Sequence, residues 1–421
     1  MKENNVMRVV IIGAGLGGLC LAHGLRQAGT AVTVHERNDL RQAHPASYGI
    51  HLNTDGLGAL HDCLPSANWQ QFTATTVPAA NVINFHDAAG GLLCALDHRT
   101  VESAEDPVTR RRAVSRGNLH QALLAGLDSA VVHWGSRFTE YTHAPDGRVI
   151  VHFADGTITT CDLLVGADGS NSRVRTQVLP YLRRQDLGIL NVAGRVPLTP
   201  ELAGLLPAQL SDTSINNVVP AGPGWLFAST WATGDSGSRS IRGAENTDRY
   251  IVWAWAARRN TYPGGGDQLA GSDLKAHVQR QIRTWAAPFR DLIDATDPTD
   301  IGPVPLRTMP QLPAWEPSNV TLIGDAIHNM TPMGGLGANI ALRDADTLRA
   351  ALIEHGDPTK AVSHYETQMR EYANAALALS TRNAERATNP ARLPRSIFRT
   401  LLRAASRSDT IKRRIFHTPA R

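Results

Sequence analysis

The sequence lacks long hydrophobic runs and has few cysteines. No stretch approaches the roughly 18 consecutive apolar residues of a membrane span, so we expect no transmembrane segment. The four cysteines are scattered without a CxxC pair, which argues against a disulfide framework and against a zinc site. The first residues also lack the pattern of a signal peptide. Together these features predict a cytoplasmic protein without a bound metal.

Lysine is scarce, because only four of the 42 basic residues are lysines, at positions 2, 275, 360 and 412. A lysine general base between residues 3 and 274 is therefore excluded. Residues 391–421 carry nine Lys or Arg and one acid, Asp409, so this segment has a charge of +8 and the remaining 390 residues carry −4. Positive charge confined to one end does not make a nucleic-acid groove, and we expect no nucleic-acid partner.

The first clear motif is GAGLGG, in which Gly13, Gly15 and Gly18 match GxGxxG. It follows the apolar strand RVVII and opens a helix, as in a dinucleotide-binding βαβ unit. The glycines allow a tight turn, backbone approach to a pyrophosphate, and close packing of helix on strand. Glu36 closes the next strand, where its carboxylate can accept hydrogen bonds from ribose hydroxyls. This motif alone does not separate FAD from NAD.

Two later stretches complete a pattern. CDLLVGADGSNSRVR (161–175) is a strand running into an Asp-Gly turn, and Gly324-Asp325 follows another buried strand. With GxGxxG, these motifs resemble the class A flavoprotein monooxygenases, the aromatic hydroxylase family related to p-hydroxybenzoate hydroxylase. The resemblance spans residues 8–348 and implies FAD as cofactor. It also implies an α/β fold: a glutathione-reductase-type Rossmann FAD-binding domain with an inserted, mainly β substrate domain and C-terminal helices.

The resemblance also assigns roles near the flavin. Asp325 is expected to hydrogen-bond the ribityl chain, and the backbone amides of Gly337 and Ala338 to face the flavin pyrimidine edge. Bare glycine amides at a helix N-terminus stabilise the negative charge of a reduced flavin. The alternative for Asp325 is an ordinary helix N-cap.

Three more positions carry over from the family. Arg116, at the start of a helix, matches the arginine that lies against the pyrophosphate, and Gly49 falls where the family chain passes the isoalloxazine. Asp168 matches an acid tied to flavin and nicotinamide contacts. Two of these positions have a structural alternative, which is a solvated helix-end arginine for Arg116 and a turn cap for Asp168.

We expect a discontinuous FAD-binding domain of residues 1–80, 105–180 and 295–390. Residues 81–104 and 181–294 are expected to form a β-sheet substrate domain, which contains five of the eight tryptophans. As a set these tryptophans suit a flat apolar substrate, whereas for any single one of them we expect a place in the core. Residues 391–421 form a basic tail with helical spacing, which could dock on an acidic partner or membrane surface or pack on its own domain.

The resemblance implies that NADPH or NADH acts as a transient donor and that a C4a-hydroperoxyflavin passes one oxygen of O2 to an aromatic or polyketide-like molecule. Arg195, at the start of the substrate domain, is the candidate for holding a phenolate, and His51 is a second candidate base. Three alternatives stay open: a flavin dehydrogenase or oxidase without oxygen insertion, a Baeyer–Villiger enzyme, and a non-catalytic flavin-bound protein that sequesters a ligand.

Overall fold

The structure is a computed structural model that describes residues 6–39, 49–79, 82–97, 108, 110–232, 249–408 and 410–412. Within these residues the strands, in chain order, are β1 (Arg8–Ile12), β2 (Ala31–Glu36), β3 (Gly49–Leu52), β4 (Val77–Pro78), β5 (Val82–His86), β6 (Leu92–Asp97), β7 (Arg112–Ser115), β8 (Val132–Trp134), β9 (Phe138–His143), β10 (Val149–Phe153), β11 (Ile158–Cys161), β12 (Leu163–Gly166), β13 (Gln185–Pro197), β14 (Ile215–Val218), β15 (Trp225–Ala232), β16 (Arg249–Arg258), β17 (Ile301–Thr308) and β18 (Val320–Leu322).

The α-helices over the same described ranges are α1 (Leu16–Gln27), α2 (Thr54–Cys63), α3 (Ser66–Ala74), α4 (Arg116–Leu124), α5 (Arg173–Val178), α6 (Pro200–Leu205), α7 (Ala208–Ser211), α8 (Gly271–Ile282), α9 (Ala287–Asp294), α10 (Asp325–His328), α11 (Gly337–His355), α12 (Pro358–Thr388) and α13 (Arg392–Ala405). None of these helices is long and apolar enough to cross a membrane.

The chain divides into two compact units. The first unit comprises Met1–Thr76, Pro107–Gln185 and Arg307–Thr381. Its centre is a five-stranded sheet in the order β18-β12-β1-β2-β8, and each neighbouring pair is parallel. The strands are short apolar runs such as RVVII and LLVG, almost wholly buried, as expected for a parallel sheet covered on both faces.

The first unit also contains a three-stranded antiparallel sheet in the order β11-β10-β9 and the antiparallel strand pair β3–β7. Helices α1, α2 and α11 pack on one another, and their buried leucines and alanines join the sheet in one apolar core. The predicted α/β fold class, with a Rossmann-type unit that starts at the glycine motif, is confirmed.

The second unit comprises Val77–Asp106, Asp186–Leu306 and Arg382–Arg421. Its seven-stranded sheet has the order β17-β13-β16-β15-β14-β5-β6. Trp253 and Trp255 on β16 are 0% and 1% exposed and belong to the core of this unit. The indole N–H of Trp253 donates to Thr296 at 2.9 Å. Of the two roles open to the tryptophans, these two therefore have the core role.

Candidate active site

Four of the sequence motifs meet at one edge of the parallel sheet. Gly13 follows β1, Glu36 ends β2, Asp168 follows β12, and Asp325 follows β18. These four strands are neighbours and run in the same direction, so their carboxyl ends lie side by side. Ligands of open α/β sheets bind outside the carboxyl ends of the strands. The motifs thus surround the place where such a fold holds its ligand.

The three glycines of GxGxxG have different surroundings. Gly13 has φ +114°, and a Cβ there would lie 2.3 Å from the carbonyl oxygen of Ala167. A Cβ on Gly18 would lie 2.2 Å from the carbonyl oxygen of Gly13. The packing of the protein itself therefore requires glycine at these two positions. At Gly15, by contrast, no atom lies within 4 Å of the Cβ position, so this glycine borders open space.

Helix α1 begins directly after this open space. Its N-cap is Gly15, which has no side chain to bond the first amides, and its first turn contains no acid. An uncapped helix N-terminus presents N–H groups and a positive dipole end, which together bind anions such as a pyrophosphate.

Glu36 is tied to the glycine loop. Its Oε2 accepts a hydrogen bond from the Ala14 amide at 3.0 Å, and its Oε1 accepts one from the Asn38 amide at 2.9 Å. Each carboxylate oxygen can accept a further bond, so the side chain keeps capacity for ligand hydroxyls.

Arg116 is the first residue of α4, a helix that is anchored to the same loop. The helix begins at Arg116, and Ser115 caps it by accepting from the Asn118 amide. One turn further on, the His120 Nε2 lies 2.9 Å from the carbonyl oxygen of Ala14 and anchors α4 to the glycine loop. His120 was not identified from the sequence, since a buried histidine on a helix gives no motif. Gly49 opens β3 and pairs with Ser115 in β7.

Asp168 both caps a helix and offers a spare oxygen. Its Oδ2 accepts from the amides of Arg173 at 2.7 Å and Val174 at 3.4 Å, at the start of α5. Its Oδ1 is buried and has no hydrogen-bond partner in the described part of the chain. The pKa of Asp168 is raised, because the effect of burial is larger than that of the hydrogen bonds, which lower the pKa. A ligand donor at Oδ1 would satisfy this oxygen.

Arg175 links the Asp168 motif to the Asp325 motif. Its buried guanidinium donates to the carbonyl oxygen of Ala326 at 2.6 Å and to that of Ser170 at 3.0 Å. Burial lowers the pKa of Arg175, and the negative charges of Asp168 and Asp325 act in the opposite direction. One side chain therefore holds together two loops that are far apart in sequence.

A buried carboxylate fixes the Gly324-Asp325 turn. Gly324 has φ +63°, and its amide donates to Asp344 Oδ2 at 2.6 Å. The same oxygen lies 2.6 Å from His328 Nε2, and Tyr372 donates its hydroxyl to Oδ1 at 2.7 Å. Asp344 and His328 are completely buried. Burial lowers the pKa of His328, but the charge and hydrogen bond of Asp344 outweigh it and leave the pKa raised.

This cluster was missed from the sequence, although a signal exists. Asp344 lies four residues from Ile340 and from Leu348, on the buried face of α11. A charged residue on an apolar helix face must find partners. The pattern does not say which residues those partners are.

Asp325 and the start of α11 face each other. The Asp325 side chain is exposed, and its Oδ1 lies 3.9 Å from the position that a Cβ on Gly337 would take. The N-terminus of α11, at Gly337 and Ala338, has no side-chain cap. Asn339 connects this end to β3, because its Nδ2 donates to the His51 carbonyl oxygen at 3.0 Å. The structure therefore brings Asp325 to the start of α11 at Gly337 and Ala338, and joins this end of α11 to the strand that begins at Gly49.

Arg195 lies in the second unit, on β13. Its side chain is exposed and its guanidinium carbon lies 4.0 Å from the centre of the Tyr250 ring. Burial raises the pKa of Tyr250, and the nearby positive charge of Arg195 lowers it. The other predicted site residues all lie in the first unit.

The first unit is thus a nucleotide-binding α/β unit with a second uncapped helix, α11, beside Asp325. The chain belongs to the family described as FAD binding domain, whose profile matches residues 6–380. This confirms the family resemblance and FAD as the cofactor of the fold.

Similar proteins support this assignment. The structure of a protein described as an FAD-containing monooxygenase from Photorhabdus luminescens subsp. laumondii TTO1 is 40% identical, with a TM-score of 0.81, covering 91% of this chain and 98% of that one. The 3-amino-4-hydroxybenzoate 2-monooxygenase of Streptomyces cremeus is 29% identical over 86% of this chain and 82% of its own length. The dual O-methyltransferase/FAD-dependent monooxygenase CTB3 of Cercospora beticola is 28% identical over 87% of this chain, but this match spans only 44% of CTB3.

The residues of the first unit fit FAD. Open space at Gly15 and the uncapped end of α1 suit a pyrophosphate. The uncapped end of α11 suits an electron-rich ring edge. The buried, unpartnered oxygen of Asp168 is a polar atom that a ligand donor could satisfy.

Proposed function

We propose that this protein is an FAD-dependent monooxygenase. It oxidises NADPH or NADH and transfers one oxygen atom of O2 to an aromatic or polyketide-like small molecule. The observation that carries the proposal is the meeting of four motif residues at the carboxyl ends of four adjacent parallel strands. The name of the Streptomyces cremeus relative supports an aromatic substrate.

In this proposal each residue of the first unit holds one part of the cofactor. The amides at Gly15 and the start of α1 hold the pyrophosphate, and Arg116 offsets its charge. Glu36 accepts hydrogen bonds from the adenosine ribose. Asp325 accepts from the ribityl hydroxyls.

The remaining predicted residues act around the reactive ring. The chemistry supplied by bound FAD is electron uptake from a nicotinamide and activation of dioxygen. The amides of Gly337 and Ala338 stabilise negative charge at the pyrimidine edge, and Gly49 leaves room for the flat ring. Asp168 Oδ1 accepts a hydrogen bond from the ligand.

We further propose that Arg195 binds the phenolate oxygen of the substrate. A guanidinium favours the deprotonated phenol and so activates the ring towards electrophilic oxygen. Arg195→Ala should then raise KM for a phenolic substrate more than for an analogue without the hydroxyl. Arg290→Ala, which alters an exposed arginine on α9, is the matched control. Equal effects on both substrates would remove Arg195 from this role.

We also infer a cytoplasmic location, since all four cysteines are free and buried.

The decisive experiment uses the FAD-loaded protein and labelled dioxygen. A panel of aromatic compounds is screened for stimulation of NADPH and NADH oxidation, and products of the active compounds are analysed for the label. We expect one labelled oxygen atom per product molecule. A product that is dehydrogenated but unlabelled would identify a dehydrogenase or oxidase instead, and ligand binding without nicotinamide oxidation would identify a sequestering protein.

A further inference from the structure

Helix α13, near the C-terminal end, has one face that packs on its own unit. Leu402 and Ala405 are fully buried and join Phe85 and Leu93 in a small apolar core. Arg395 is also buried, and its guanidinium donates to the carbonyl oxygens of three residues, Ala387, Asn389 and Gly224. These contacts fix which side of the helix faces inward.

A neighbouring face of α13, which meets the buried one at Ala405, carries an exposed apolar stripe. Leu393, Ile397 and Leu401 are 72%, 52% and 45% exposed. They are spaced four residues apart, so they lie along one face of the helix. No other helix in the described ranges has more than one large exposed apolar residue. We call these three residues the outer stripe.

Arginines flank the outer stripe. Arg392 and Arg403 are exposed and 11 residues apart, about three helical turns, which places them in a line beside the stripe. Arg407, also exposed, follows two residues after the end of the helix. Arg403 forms a salt bridge with Asp87, with 3.8 Å between the guanidinium nitrogen and the carboxylate oxygen, whereas no salt bridge is seen for Arg392 or Arg407 among the described residues. Because residues 391–421 contain nine Lys or Arg and a single acid, this positive charge is not neutralised within the segment.

We propose that the outer stripe docks on an anionic lipid surface. A helix with an apolar face and flanking Arg residues lies in the interface of a bilayer, where its leucines enter the acyl boundary and its arginines meet the headgroups. Negatively charged lipids of the cytoplasmic leaflet attract such basic segments. The helix lies on the membrane without crossing it.

The arginines beside the outer stripe argue against a second copy of the chain as its binding partner. Two outer stripes packed together would bring two lines of arginine close to each other, and like charges at short range repel. An anionic lipid surface meets both the apolar and the basic parts of α13. This proposal does not depend on the reaction catalysed.

Vesicle flotation of the FAD-loaded, full-length protein tests the proposal. One set of vesicles contains phosphatidylcholine alone, and the other also contains phosphatidylglycerol. We expect binding to the anionic vesicles only, and weaker binding as salt increases. Each arginine near the surface contributes about fivefold to the partition coefficient, so Arg392→Gln with Arg407→Gln should lower it about 25-fold.

The apolar part is tested by Ile397→Gln and Leu401→Gln, which should lower binding to anionic vesicles at least tenfold. The matched control is Ile353→Gln on α11. Ile353 is similarly exposed (55%) but does not belong to the outer stripe. Each variant is checked for flavin content and melting temperature, which should equal those of the wild type because the mutated side chains are exposed.

Three results would overturn the proposal. The first is absence of binding to anionic vesicles, and the second is equal loss of binding in Ile353→Gln and Ile397→Gln. The third is a lipid-free dimer that Ile397→Gln converts to monomer without any vesicle binding by the wild type, which would assign the stripe to self-association.

Discussion

The buried carboxyl group of Glu366 should make the stability of the first unit depend on pH. Glu366 lies on α12, is 1% exposed, and accepts a hydrogen bond from the Thr321 hydroxyl at 2.8 Å. Burial raises its pKa to about 7, although the hydrogen bond from Thr321 and the charge of Arg370 lower it. The folded protein therefore holds a proton on Glu366 at pH values where the unfolded chain has lost it.

The size of the effect follows from the two pKa values. The ordinary pKa of a glutamate is 4.5 and the folded value is about 7. At about 1.36 kcal/mol per pKa unit, the shift corresponds to about 3 kcal/mol. This stability is fully present below the unfolded pKa and is lost as the pH rises to the folded pKa. The free energy of unfolding should therefore fall by about 2 to 3 kcal/mol between pH 5 and pH 8 through this group alone.

Glu366→Gln removes the ionisation and keeps an oxygen that can accept from Thr321. We expect urea unfolding to show similar stability of variant and wild type at pH 5, and a variant more stable by about 2 kcal/mol at pH 8. Glu371→Gln, an exposed glutamate on the same helix, is the control and should not change the pH profile. Parallel profiles for Glu366→Gln and the wild type would refute the reasoning.

Three further predictions concern the cofactor site. Asp344→Ala removes the shared partner of the buried Gly324 amide, the buried His328 and the half-buried Tyr372, so it should destabilise the fold by about 3 to 5 kcal/mol in urea unfolding; a loss below 1 kcal/mol would contradict this. Asp325→Ala and Glu36→Ala should each purify folded but with weaker FAD binding, measured by flavin titration, and unchanged affinity in both would exclude the assigned contacts. Gly18→Ala should destabilise the FAD-free protein by about 1 to 3 kcal/mol through a backbone clash, whereas Gly15→Ala should leave its melting temperature unchanged and weaken only FAD binding.

The fold class was predictable because its signals are local. A strand, a glycine turn and a helix lie within residues 8–27. Gly13, Gly15 and Gly18 all fall in the turn between this strand and helix or in the first turn of the helix, so their spacing can be recognised in a short stretch of sequence. The order of the later motifs then placed this unit in a family, and the profile match confirms that. The individual cofactor contacts stay predictions.

The partners that fix the turns were not predictable, because they come from distant elements. Asp344 lies 20 residues after Gly324 and 28 before Tyr372, and no pattern states that the three meet. The same holds for Arg175, which reaches the carbonyl of Ala326 from 151 residues away. The sequence also did not decide whether the basic C-terminal segment packs on its own domain or docks on a partner. In the structure one face of α13 is buried on its own unit and the outer stripe is exposed.

The contacts of the Asp344 carboxylate limit where this chain can be joined to related proteins in a chimera. Because it bonds both the Gly324 turn and a tyrosine on α12, the turn has no independent shape to carry into another chain. A chimera that exchanges residues 324–338 alone would separate the turn from its support. Successful transplants should need crossover points outside 324–388, so that the loop and both helices, α11 and α12, are exchanged as one block.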